Sequence, residues 1–133
     1  MVIVDTSVWI ETFRRSNPVR LEDHLDFDEV VTCLPVVQEV LRGFDREDQF
    51  RVARDAMWSL PIVEMPLGQR VIDEAVELDR RVRRAGLTVR SGVDCLIAVC
   101  AIRNGLAVLH ADRDFTALAG VSSLEVRELR RRR

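Results

Sequence analysis

The stretch VIVDTSVWIETF, residues 2–13, decides the fold class. Val2-Ile3-Val4 is an unbroken β-branched run, the pattern of a short strand buried on both faces. It stops at Asp5, and Thr6 or Ser7 can cap a helix that continues through Val8, Trp9, Ile10 and Phe13. A carboxylate therefore stands directly after a strand. In α/β folds the functional crevice opens beyond the carboxyl ends of the strands, which makes Asp5 the first candidate functional residue.

Outward from there, helical and extended signals alternate. Asn17-Pro18 marks a break, and a helix is predicted from about Pro35 to Gly43 with Val36, Val37, Val40 and Leu41 as its apolar positions. Phe50, Ala53, Met57 and Leu60 recur at helical steps until Pro61, and Ile62-Val63 follows as a short strand. Val71, Ala75, Leu78 and Val82 form the stripe of the next helix, which ends at Gly86. Residues 91–103 read as a further helix with Val93, Leu96, Ile97, Cys100 and Ala101 inward, closed by Asn104-Gly105. Leu106-Ala107-Val108-Leu109 is a second apolar strand leading to Asp112, and residues 121–126 give a last short strand. This alternation predicts an α/β sandwich with a short, mostly parallel central sheet covered on both sides. At 133 residues the chain has the size of one domain.

With 47% hydrophobic and 32% charged residues, the composition is that of a globular protein rather than a disordered one. No apolar run approaches the roughly 20 residues of a membrane span, and the start lacks the pattern of a secretory signal. A cytoplasmic protein is expected. The three cysteines, Cys33, Cys95 and Cys100, have no CxxC spacing and sit in apolar runs, as buried thiols do. Net charge is −2, and all 20 basic residues are arginine.

Four carboxylates call for joint treatment: Asp5, Glu39, Asp94 and Asp112, with Asp114 close behind the last. Singly, each has an ordinary explanation as a cap, a solvated residue or a turn residue. Asp94 also follows Ser91 at the spacing of a capping box. Together they occupy strand ends and helix starts, which converge at one edge of a parallel sheet. At about 4 Å and an effective dielectric near 20, each like-charged pair costs on the order of 4 kcal/mol. Such a cluster takes up protons or binds a cation. All-oxygen donors select Mg²⁺ or Mn²⁺ over zinc, and His24 and His110 are too few and too far apart in sequence for a zinc site.

These residues carry a family resemblance. VIVDTSVWIETF resembles the start of PIN-domain proteins, especially the VapC toxins, as does SGVDCLIAVCAIRNGLAVLHADRDF at 91–115; Glu39 in PVVQEVLRG (35–43) takes the place of the family's second acid. The resemblance implies a PIN-like three-layer α/β/α sandwich spanning residues 1–133 as one domain. It implies a Mg²⁺-dependent endoribonuclease, with Mn²⁺ as a substitute, that leaves 5′-phosphate and 3′-hydroxyl ends. Asp5, Glu39, Asp94 and Asp112 are then the metal-binding and catalytic set. Asp114 either adds a ligand or orients water, and Thr6 and Ser7 support Asp5. The resemblance also implies an inhibitory VapB-type antitoxin, a homodimer and a higher assembly with the antitoxin. Arg90 and Arg113 flank the acidic motifs as candidate RNA contacts, and the Arg130–Arg133 run reads as a mobile tail. Trp9, Ile10 and Phe13 are candidates for partner surfaces, with core packing the competing use of at least two. His110 departs from the family pattern, where many relatives have Thr, Ser or Asn, and leaves open how the loop before Asp112 is braced.

Other classes fit less well. Dehalogenase-type phosphatases and receiver domains use a lysine at phosphoryl charge, and this chain has none. No Gly-x-x-x-x-Gly-Lys loop exists for a P-loop enzyme. The remaining alternative is the same fold without catalysis, binding RNA or an antitoxin.

Overall fold

In the computed structural model, which describes residues 1–130, the run Val2–Val4 forms strand β1 with every side chain fully buried. β1 pairs in parallel with β2 (Val30–Cys33) on one side and β4 (Ala107–His110) on the other. Beyond them lie β3 (Ile62–Val63) and β5 (Glu125–Glu128), giving the order β3-β2-β1-β4-β5 with every pairing parallel. Strands buried on both faces need cover on both. Six helices supply it: α1 (Thr6–Thr12), α2 (Leu34–Arg42), α3 (Glu47–Trp58), α4 (Gln69–Arg84), α5 (Gly92–Arg103) and α6 (Arg113–Gly120).

The order of the strands creates the site. The chain winds outward through β1, β2 and β3, then returns to the far side of β1 for β4 and β5. At that reversal the carboxyl ends of β1 and β4 lie side by side. The backbone N–H of Asp5 donates to the Leu109 carbonyl at 2.9 Å, so the pairing extends one residue past β1. The acids following the two strands are thereby brought to one edge.

Several sequence expectations are corrected here. The last strand occupies Glu125–Glu128 rather than residues 121–126; its pairing of Val108 with Val126 sets that register. Neither β2 nor α6 stood out in the sequence. α5 carries no simple inward stripe: Cys95, Ala98 and Val99 are buried with Ile97, Cys100 and Ala101, whereas Val93 and Leu96 are only half-buried. The helix packs against α4, α2, α6 and β4, so no single face defines it. The cap of α1 is Asp5, whose side chain accepts the Ser7 N–H, and not Thr6 or Ser7.

Cys33, Cys95 and Cys100 are buried and free, and burial pushes the Cys95 thiol up to about 11. Trp9 is buried and stacks on Phe13 at 5.8 Å, which meets Phe44 edge-on, while Ile10 is exposed. Among the described residues no helix is long and apolar enough to cross a membrane. Of the predicted arginine tail, residues 131–133 lie outside the described part of the chain.

Candidate metal centre

Each acid reaches the cleft from a different structural origin. Asp5 caps α1 immediately after β1. One carboxylate oxygen, Oδ2, accepts from the Ser7 N–H at 3.0 Å and from the Ser7 hydroxyl. The other, Oδ1, is buried and has no hydrogen-bond partner among the described residues. Asp112 repeats the arrangement after β4: its Oδ1 accepts the Asp114 N–H at 3.0 Å and caps α6. Both aspartates therefore use one face to start a helix, a position their side chain suits.

The Ser7 hydroxyl also accepts the Ala111 N–H at 3.0 Å, tying the start of α1 to the β4–α6 connection. His110, fully buried at the end of β4, accepts the Asp112 N–H on Nδ1 at 3.3 Å and lies 5.5 Å from the Phe115 ring. The loop before Asp112 is thus braced by an imidazole, which answers what the sequence left open.

Asp94 lies in the first turn of α5, which Ser91 caps through its hydroxyl and the Val93 N–H at 3.2 Å. The capping box remains half made: Ser91 caps, while the Asp94 side chain joins the acidic cleft. Glu39, on α2, accepts a long hydrogen bond from the Thr6 hydroxyl at 3.4 Å. Asp5, Glu39, Asp94, Asp112 and Asp114 all line one cleft of about 300 Å³, with Ile10 at its rim.

Within that cleft the tightest group is Asp94, Asp112 and Asp114, whose carboxylate oxygens lie within 4.8 Å of one another. Asp114, which the sequence left as either a ligand or a water-orienting residue, is only 6% exposed and stands in this group. Its signal was present: an Asp at the cap of a helix with Phe115 and Leu118 three apart puts the intervening acid in the first turn. Arg90, a candidate RNA contact in the sequence, pairs through its guanidinium with Asp112 at 2.7 Å and Asp114 at 3.2 Å. Arg113 begins α6 and lines a shallow groove that continues from the cleft past Ser7, Ile10 and Arg90. Ser7 as a support for Asp5 could be expected from the sequence, but its link to Ala111 could not.

The electrostatics follow from this crowding. Burial, reinforced by Asp5, Asp112, Asp114 and Glu39, pushes the Asp94 carboxyl up to about 8. Burial also raises Asp5, against the lowering effect of its hydrogen bonds to Ser7, and raises Glu39, with Asp5 adding repulsion. These donors fit a hard divalent cation. All are carboxylate oxygens, three converge closely, and the buried Asp5 Oδ1 keeps its lone pairs unused.

Comparison with known proteins agrees with the geometry. The chain matches the PIN domain family over residues 2–121. Ribonuclease VapC11 of Mycobacterium tuberculosis is 31% identical over 141 residues, covering 98% of this chain and all of that protein. The structure of VapBC-5 from Mycobacterium tuberculosis, a member of the VapBC family of toxin-antitoxin systems, superposes with a TM-score of 0.71 at 25% identity over 96% of this chain and 97% of that one. VapBC2 from Rickettsia felis, solved bound to a promoter DNA fragment, gives a TM-score of 0.77 at 16% identity over 98% of this chain and 100% of its own.

Proposed function

The chain belongs to the PIN domain family, among its VapC-type members, and from that premise we propose that it is a metal-dependent endoribonuclease and the toxin half of a toxin–antitoxin pair. The observation that carries this reading is the five-carboxylate cleft at the switch point of the sheet. It keeps Asp94 at a pKa near 8 and leaves a buried Asp5 oxygen unpaired. Such an arrangement is unfavourable for folding alone and suits a cation-binding site.

Asp94, Asp112 and Asp114 would hold the ion together with Asp5, and Glu39 would join them directly or through water. When bound, Mg²⁺ or Mn²⁺ supplies Lewis-acid polarisation of the scissile phosphate and makes water a competent nucleophile near neutral pH. The chain's own residues do the positioning. Ser7 fixes the Asp5 carboxylate, Thr6 steers Glu39, and His110 sets the Asp112 backbone. Arg113, which lines the groove leading from the cleft, would meet the RNA backbone. The products are 5′-phosphate and 3′-hydroxyl fragments.

The reading takes residues 1–133 as one PIN domain acting in the cytoplasm. A VapB-type antitoxin is the proposed inhibitor, supported by the VapBC structures that the fold resembles. Exposed Ile10 at the cleft rim offers it an apolar contact. A homodimer is proposed as well, supported by exposed Ile72 and Val76 on α4 beside a groove that reaches Leu96. The antitoxin would join two such units in a higher assembly.

The test uses antitoxin-free protein and total cellular RNA with Mg²⁺ or Mn²⁺, with parallel reactions in EDTA and with folded Asp5→Asn and Asp94→Asn variants. Discrete cuts bearing 5′-phosphates, lost in EDTA and in both variants, are expected. Cutting that persists in EDTA or in the variants would remove the metal-site assignment. A folded, metal-loaded protein that cuts none of many RNAs would instead favour the non-catalytic binding module.

A further inference from the structure

Arg90 sits in the connection between α4 and α5 and contacts the loop that begins α6. Its Nη2 donates to Asp112 Oδ1 at 2.7 Å and its Nε to Asp114 Oδ2 at 3.2 Å. The backbone N–H of the same residue donates to Asp114 Oδ2, also at 3.2 Å. These are two of the three carboxylates that converge within 4.8 Å. The guanidinium therefore satisfies the side chains that the ion would need.

Three features separate this contact from an ordinary surface ion pair. It is made to two acids at once, by a planar fork that a compact ammonium does not reproduce. Its acceptors are unequal in exposure, with the Asp114 side chain 8% exposed and that of Asp112 21%. The arginine side chain itself is 68% exposed, so it can leave the acids without unpacking any core. A cation held only by ion pairs and their hydrogen bonds, on an exposed side chain at the mouth of a crowded acidic cleft, is displaceable.

We propose that Arg90 is a built-in counter-ion that occupies Asp112 and Asp114 ahead of the divalent cation and sets the affinity of the resting protein for metal. The proposal rests on the metal-centre reading above. Before loading, the guanidinium offsets repulsion among the carboxylates and holds the start of α5 close to that of α6. For loading, Asp112 and Asp114 must exchange the fork for the ion, so metal binds more weakly than the bare cluster would allow. Arg90 is a positioning residue in the resting state, and its removal raises metal affinity. A merely structural tether would have the opposite sign, because loosening the α5–α6 approach would scatter the ligands.

Mn²⁺ binding measured by calorimetry or electron paramagnetic resonance on chelator-stripped, antitoxin-free protein, with no RNA present, distinguishes the two. Arg90→Gln is expected to bind Mn²⁺ about tenfold or more tightly than wild type, with Arg90→Lys in between. Metal-free Arg90→Gln should also melt below wild type, and the gap should close at saturating Mn²⁺. The lysine variant preserves the charge and guards against a glutamine variant that does not fold. Equal or weaker Mn²⁺ binding in folded variants, with wild type binding normally, overturns the counter-ion role alone. If neither wild type nor Arg90→Gln takes up Mn²⁺ at millimolar concentration, the metal-centre reading fails and this proposal fails with it.

Discussion

At Asp94 the ordinary carboxyl value of 3.8 is pushed up to about 8 by burial and by four neighbouring acids. Between those two values the folded chain binds more protons than the unfolded one, so stability falls as pH rises through the window. The metal-free protein is therefore expected to melt at a lower temperature at pH 8 than at pH 6. Mg²⁺ should raise the melting temperature more at pH 8, and Asp94→Asn should flatten both dependences. Calorimetry in EDTA and in Mg²⁺ checks this, and a wild-type protein whose metal-free stability is level across the window would refute it. Ser7 permits a second prediction. Its hydroxyl donates to Asp5 and accepts the Ala111 N–H, so Ser7→Ala removes two hydrogen bonds and should cost about 1–3 kcal/mol in urea unfolding. Cleavage should fall by roughly 10–100-fold, the range for losing a group that orients a metal ligand. An unchanged rate would mean that Asp5 needs no such support. Which site residues were legible follows from the same chemistry. Asp5 and Asp112 could be read because one directly follows β1 and the other stands two residues past the end of β4. The pairing of Arg90 could not, since it depends on how the α4–α5 connection lies against α6.

Among the elements, α5 shows where periodicity stops being informative. A helix facing sheet and helices together buries residues all round, and its apolar pattern loses the single stripe that sequence reading seeks. That packing can be tested from both directions. Ile97→Ala should cost about 2–5 kcal/mol through the cavity it leaves, and Ala98→Leu about 1–3 kcal/mol through overpacking, both by denaturant unfolding. Tolerance of the larger residue at 98 would mean that α5 has room beside it. The elements missed in the sequence were missed for other reasons. β2 runs from Val30–Cys33 straight into α2 at Leu34 with no turn residue between, so one apolar stretch hides two elements. α6 spans only eight residues, and its first turn reads as a polar loop because its acids are turned to the site. By contrast α2, α3 and α4 each carry a clear amphipathic stripe, and a Pro or Gly marks an end of each, which is why their existence could be read.

Across the molecule, a net charge of −2 hides a strong local asymmetry, with five carboxylates gathered in one cleft. Without a divalent ion that cleft repels a phosphate backbone. Fluorescence anisotropy with a single-stranded RNA oligomer in EDTA at about pH 9, where Asp94 is ionised, should therefore show weak binding by wild type and tighter binding by Asp5→Asn/Asp94→Asn, with both weakening as salt rises. Equal binding by the two proteins would place the RNA path away from the cleft. A final consequence concerns inheritance. Asp5 and Asp112 start helices as well as lining the cleft, whereas the capping hydroxyl of α5 comes from Ser91 and not from Asp94. In a lineage released from selection for cleavage, positions 5 and 112 remain constrained to residues that can begin a helix, such as Asn or Ser. Position 94 is under no such constraint, and a neutral side chain there relieves buried repulsion. On the proposed function, decay into an inert binder should thus begin at Asp94, where the loss of activity and a gain in stability come with the same substitution.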